Sequence, residues 1–223
     1  MIKLTKDIPE FLLPRAEVIK INCNREIYHD ESLFWVQNED KAIISMLDGN
    51  MVIYENGADF DELLEFINVI SPTSVFSDAK TLTSLFGENF ERVFVMEARG
   101  EYECDKPSDK LSSREIYEIL NVEGLELPDY EYFAPDFCRR LNRGFLKYYA
   151  KKGEFAAVII SDGAHRLLNG IASNIKGGGT KALCGVLEGT NGAIAVCRKE
   201  LKEFYLKNRF EHIYDAGYWR KCK

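Results

Sequence analysis

The chain is 223 residues long, 46% hydrophobic and 12% aromatic, with a net charge of −7 and a pI near 5.2. That length and apolar content can bury a sizeable core and exclude disorder as the main state. The acidic balance argues against general nucleic-acid binding, and no apolar run approaches the length of a membrane span.

The N-terminal stretch MIKLTKDIPEFLLPRAEV lacks a long apolar core and a small-residue cleavage site, so it is not expected to be a signal peptide. Residues 15 to 55 then run in short apolar pieces, AEVIKI, LFWVQ, AIISML and MVIYE, which read as strands. Turn signals at Asn38-Glu39-Asp40 and Asp48-Gly49-Asn50 separate them, the second with Asp-Gly between two apolar runs. Asp59 and Glu62 spell a cap at the start of a helix whose buried stripe is Phe60, Leu63, Leu64 and Ile67, closed by Ser71-Pro72. TSVFS predicts a strand, KTLTSLFG a short helix ending at Gly87, and ERVFVMEA another strand.

EYECDKPSDK is charged, contains proline and reads as a linker. Ser112 and Glu115 form a capping box opening a helix over REIYEIL. Residues 121 to 132 are acidic and aromatic. Pro135 suits the first turn of a helix running DFCRRLNRGFLKYYAKK. FAAVIIS and RLLNGIAS predict strands, and the second runs into Asn174-Ile175-Lys176-Gly177-Gly178-Gly179, followed by a segment that can be helical. Such a turn presents backbone N–H groups and the positive end of a helix dipole to an anion. Lys176 and Lys181 flank it. GAIAVC predicts a buried strand, RKELKEFYLKNRF an amphipathic helix and HIYDAGYW a last strand.

The six cysteines are scattered, with no Cys-x-x-Cys and no histidine at zinc-ligand spacing, so a metal site is not expected and the thiols fit a reducing cytoplasm.

Three phosphate-binding loops compete for the glycine run. The string a Walker loop requires is absent. A dinucleotide fingerprint fits loosely as Gly177-x-Gly179-x-x-Ala182, but too little chain follows for the rest of that fold. The loop is similar to the coenzyme A loop of GNAT acetyltransferases, Arg/Gln-x-x-Gly-x-Gly/Ala, with Asn174 where Arg or Gln is usual. The last third of the chain resembles that family more broadly. A strand follows the loop. Then comes a helix carrying Phe204-Tyr205, then Phe210 before the final strand, with Arg209 in place of the family's glycine and Arg198 where an asparagine is common.

The resemblance implies an α/β fold, a mixed central sheet flanked by helices, in two GNAT-like halves in tandem. The order strand, strand, helix, strand, helix, strand occurs twice, with Gly57 and Gly177, and Val75 and Ile194, about 120 residues apart. The expected domains are 1–105, without a cofactor loop, and 106–223, catalytic. In the first copy Asp59, Asp61 and Glu62 stand at the loop, where they stabilise a helix but repel a phosphate.

The function implied is acetyl-CoA-dependent N-acetyl transfer to a small amine, in the cytoplasm, with no metal, nucleic acid or membrane involved. Ile171, Ala172 and Ser173 would run beside the pantetheine arm. Lys176, Gly177, Gly178, Gly179 and Thr180 would hold the pyrophosphate, with Arg198 at the next strand end. Tyr205 would protonate the leaving thiolate, its other reading being a core aromatic. Glu131, Asp136 and His165 are candidate bases, and a water relay would need none of them. Glu123, Glu126, Asp129 and Glu131 either select a cationic amine or form a solvated loop. Two further functions stay open: a coenzyme A sensor without catalysis, and a nucleotide-dependent oxidoreductase.

Overall fold

The structure, a computed structural model, describes all residues except 7, 9–12, 39, 105, 106, 191, 222 and 223. The expected turn residue Glu39, the linker residues Asp105 and Lys106, and Cys222 lie outside the described residues. In chain order the first elements are β1 (Ile2–Thr5), α1 (Ala16–Tyr28), β2 (Leu33–Gln37), β3 (Ala42–Leu47), β4 (Asn50–Glu55), α2 (Phe60–Ile70), β5 (Ser74–Asp78), α3 (Ala79–Phe86) and β6 (Glu91–Ala98). Then come α4 (Ser113–Leu120), α5 (Tyr130–Asn142), β7 (Leu146–Lys151), β8 (Phe155–Ser161), β9 (Arg166–Ser173), α6 (Gly178–Leu187) and β10 (Ile194–Cys197). A 3-10 turn over Lys199–Leu201 leads to α7 (Lys202–Lys207) and β11 (Phe210–Arg220).

The contacts group the chain into two compact units. One comprises residues 1–96, 196–206 and 212–223, the other 97–195 and 207–211. The last strand is divided between them, Phe210 and Glu211 falling in the second unit and residues 212–220 in the first. Within that unit the strand order is β1-β2-β3-β4-β5-β11-β6. β11 pairs antiparallel with β5, from Ala216 opposite Asp78 to Arg220 opposite Ser74. The first four strands form an antiparallel meander. A core of Trp35, Ile44, Ile53, Leu63, Ile67 and Leu82 fills the space between this sheet and α2 and α3.

In the second unit the order is β10-β9-β8-β7. β8 is buried from Phe155 to Ile160, which accounts for its unbroken apolar run. α6 packs against β8 and β9, and α4 packs on the same two strands together with α5.

Two expected elements differ. AEVIKI is the start of α1, not a strand; its buried Ala16, Ile19, Cys23 and Ile27 recur at helical spacing. Six residues are too few to separate a period of 2 from one of 3.6. LKYYAK is β7, not the end of a helix. α5 begins at Tyr130, so Pro135 lies inside it, and it stops where Gly144 takes a φ of +78°. There the amides of Gly144 and Phe145 turn back onto Leu141 and Arg140, at 3.1 and 2.9 Å, a glycine-closed helix end.

Candidate functional site

β9 carries the site, because it is paired unevenly on its two edges. Toward β8 its register runs from Ser161 opposite Arg166 to Phe155 opposite Ser173. A bulge interrupts it: Ile159 faces Leu168, Val158 faces Gly170, and Asn169 is the extra residue. Toward β10 the pairing is parallel, covers Leu167 and Leu168, and stops. Among the described residues no pairing with β10 extends beyond Leu168, so over Ile171–Ser173 that edge of β9 has no β10 partner, and alternate residues present their N–H and C=O groups to it.

The loop after β9 is held by its own side chains. Ser173 Oγ donates to Ile175 O at 2.8 Å and accepts from Ile175 N at 3.2 Å. Asn174 N donates to Glu154 O at 2.7 Å, and its side-chain amide to Gly153 O at 3.3 Å. Asn174 thus ties the loop to the turn between β7 and β8.

Two glycines serve different needs. Gly177 caps α6 with a φ of +77°, a left-handed conformation that L side chains disfavour. Gly178 is buried, and a Cβ there would lie 2.2 Å from Ser173 Oγ and 2.8 Å from Ile175 Cγ1. It is needed for packing under the loop. The Gly178 amide turns back to Ile175 O at 3.1 Å, and Lys181 N reaches Gly177 O at 3.3 Å. The first amides of a helix have no partner four residues back. That leaves the N–H groups of Lys176, Gly177, Gly179 and Thr180 for an anion, with Lys176 and Lys181 exposed on either side. Thr180 also lines a cavity of about 530 Å³ shared with Cys184, Tyr102, Lys207 and Arg209.

The equivalent loop of the first unit has the same frame and a different filling. β4 and β5 pair in parallel from Asn50 opposite Ser74 to Val52 opposite Phe76, and beyond that ladder Ser77 Oγ donates to Ile53 O at 2.8 Å. The amides that follow are taken. Glu55 Oε1 accepts from Gly57 N and from Ala58 N. Gln37 Oε1 accepts from Asp59 N at 2.8 Å, and Asp59 Oδ1 from Glu62 N at 3.2 Å. The protein's own carboxylates and one amide occupy the nest.

Arg198 and Tyr205 belong to the first unit. Arg198 pairs through Nε with Glu91 at 3.0 Å. Tyr205 is 3% exposed on α7, edge-on to Phe204. Burial, and then Cys197, push its phenol well above the ordinary range, so it stays protonated. Burial pushes the Cys197 thiol up to about 11, which makes it a poor nucleophile.

Of the three guessed bases, Asp136 lines a cavity of about 240 Å³ that reaches Asn169 and Gly170. Glu131 is exposed, and His165 sits beside Asp162 in the turn before β9. Among the described residues no group of three or more His, Cys, Asp or Glu could hold a metal ion, and no helix is long and apolar enough to cross a membrane. Neither the bulge at Asn169 nor the Glu55 contacts have a sequence signal; both follow from strand register.

No family model and no curated protein matches the sequence. Solved structures are similar to it. A GNAT-family acetyltransferase from Colwellia psychrerythraea superposes with a TM-score of 0.51 at 12% identity, over 90% of this chain and 89% of the other. A tandem GNAT protein from the clavulanic acid biosynthesis pathway superposes with a TM-score of 0.52 at 10% identity, over 85% and 82%. At such identities the likeness speaks for the fold, and with the parallel strand pairs and strand order described above it leads to one conclusion: this chain has the GNAT fold, in two halves in tandem.

Proposed function

We propose that the chain is an acetyl-CoA-dependent N-acyltransferase acting on a small amine, with the cofactor held by its second half. The observation that carries this reading is the set of open amides at the start of α6, next to the unpaired edge of β9. Bound acetyl-CoA would supply an activated acyl group as a thioester. Lys176, Gly177, Gly179 and Thr180 hold the pyrophosphate through backbone N–H groups, which are stronger donors to an anion than to a neutral acceptor. The edge over Ile171–Ser173 would pair with the extended arm and would offer an N–H to the carbonyl oxygen, where negative charge develops.

In such a transfer the C–S bond would break as a C–N bond forms, the ammonium nitrogen would give up two of its three protons to water, and the thiolate would take one. The family resemblance assigns that last proton to Tyr205. Direct transfer fits the raised thiol of Cys197, which is ill suited to an acyl-enzyme.

Calorimetry with acetyl-CoA and with NAD tests the cofactor, and thiol release with a panel of amines tests the chemistry. Acetyl-CoA should bind and NAD should not; the reverse would sink the reading. Tyr205→Phe should keep the fold and the acetyl-CoA affinity and lower kcat by roughly tenfold or more. A second reading, a coenzyme A-binding protein without turnover, is favoured by one feature: β9 carries no carboxylate to serve as base. Binding without thiol release from any amine would establish it.

A further inference from the structure

A cavity of about 400 Å³ belongs wholly to the first unit. Arg15, Lys80, Tyr214 and three carboxylates, Glu55, Asp78 and Asp215, line it. Strand register opens it. β11 pairs with β5 only from Ala216 opposite Asp78 onward, so Tyr214 and Asp215 stand before that ladder begins, and α3 turns off at Ala79. The size falls within the range of small-ligand pockets, roughly 300–1,000 Å³.

Two of the carboxylates are fully engaged. Asp78 caps α3: Oδ1 accepts from Thr81 N at 3.0 Å and Oδ2 from the Thr81 hydroxyl at 2.7 Å. Asp215 meets His212 Nε2 at 2.9 Å and Arg92 Nη1 at 3.3 Å. Glu55 is different. Its Oε1 accepts from the amides of Gly57 and Ala58, and no cation pairs with this carboxylate among the described residues.

Arg15 is the opposite case, a cation whose donors are poorly used. Its guanidinium lies over the Tyr214 ring, 4.5 Å from the centroid. Nε is buried and has no hydrogen-bond partner among the described residues. Nη2 reaches Glu17 and Asp78 at 3.5 and 3.6 Å, beyond the usual span of an N–H···O bond. Glu17, fully buried, accepts from the Tyr214 hydroxyl at 2.6 Å through Oε2, and its Oε1 has no hydrogen-bond partner. Donors left unmade in a partly buried place are costly, and an oxyanion is the group that completes a guanidinium. Lys80, exposed on the same lining and without an ion pair among the described residues, adds a second cation.

The balance of charge selects the ligand. Arg15, Lys80, Arg92 and, when protonated, His212 stand against Glu17, Glu55, Asp78, Asp215 and Glu88, so the set is net negative. A simple anion would be repelled, and a simple amine would leave Arg15 as it is. We infer that the first unit binds a free amino acid in this cavity, its carboxylate on Arg15 and Lys80 and its ammonium on Glu55. A zwitterion brings no net charge into the set, and each of its ends meets a group whose bonding is incomplete. The site is independent of the acyltransferase reading, since it lies in the half whose loop amides are already taken.

The test titrates the full chain, without acetyl-CoA, with L-alanine, L-leucine, L-lysine and L-glutamate by calorimetry. At least one should bind with a Kd below about 1 mM. The amide of that amino acid lacks the carboxylate, and its N-acetyl derivative lacks the ammonium. Each should bind about tenfold more weakly or worse. Glu55→Gln keeps an acceptor for the two amides and removes the charge, and should weaken the amino acid by about tenfold. Arg15→Gln should do the same from the carboxylate end. If circular dichroism shows that variant unfolded, Lys80→Met at its exposed position takes its place and should weaken binding by about threefold. No saturable binding by any of the four, binding that survives the loss of either charged end, or binding unchanged in either variant overturns the inference.

Discussion

The two halves build the same frame at their central loops and fill it in opposite ways. In each, two parallel strands pair over two or three residues, and a helix starts from the loop between them. In the first, Glu55, Gln37 and Asp59 take the amides that an incoming anion would need. In the second, Ser173 and Asn174 brace the loop from behind and four amides stay open. A carboxylate held by its own chain has no translational entropy to lose, so it outcompetes a free phosphate group at the same N–H groups. The difference between a structural loop and a binding loop is therefore a matter of who supplies the anion.

The largest effect that would sharpen this comparison is on folding. Gly178→Ala drives a methyl into Ser173 and Ile175 and should cost about 2–3 kcal/mol by chemical denaturation. Gly57→Ala meets nothing and should cost only the strain of its φ of +87°, about 1 kcal/mol. Equal costs would mean that the second loop is not packed from beneath.

Affinity comes next. Gly177→Asp places a carboxylate at the open amides, and asparagine, which also tolerates a left-handed φ, is the uncharged control. The aspartate should weaken acetyl-CoA by about tenfold or more, about 1.4 kcal/mol, and the asparagine should not. Gly57→Asp should leave affinity alone; a matching loss there would erase the distinction between the halves.

The turns after α3 and α7 offer a smaller contrast. Both helices leave through a residue with a φ of +63°, Gly87 in one and Arg209 in the other. Arg209→Gly should stabilise the protein by about 0.5 kcal/mol: relief of about 1 kcal/mol of backbone strain, less the exposed hydrogen bond from Nη1 to Glu101 O. A loss of stability would show that this bond outweighs the strain.

The smallest effect concerns the helix caps. Lys152, and then the backbone and hydroxyl of Ser112, hold the Glu115 carboxyl down at about 2, below its ordinary 4.5. A carboxyl lowered on folding contributes stability above its unfolded value, and that contribution is lost as pH falls from about 4.5 toward about 2. Melting curves across that window should show a smaller acid loss for Glu115→Gln than for wild type. Identical slopes would mean the cap is inert.

Much was legible in the sequence where local rules govern. The strands over 155–161 and 166–173 match their apolar runs, and the box Ser112-x-x-Glu115 closes as spelled, with both reciprocal bonds. Asp59-x-x-Glu62 has the same spelling and closes only halfway. Its glutamate turns instead to the amide of Ile2 at 2.7 Å and the side chain of Gln37 at 2.8 Å, partners far away in sequence. AEVIKI became a helix because its burial continues at helical spacing beyond the six residues read as a strand. So the sequence by itself determined the twice-repeated order strand, strand, helix, strand, helix, strand and the glycine turn at 177–179, all set by periodicity, capping and backbone stereochemistry. The tertiary structure alone decided that β11 inserts beside β5, that Asn169 is the bulged residue, that Gly178 serves packing, and that Glu55 fills its own nest. Each depends on strand register and on groups brought together across the chain, and hydrophobic pattern leaves register and long-range pairing unspecified.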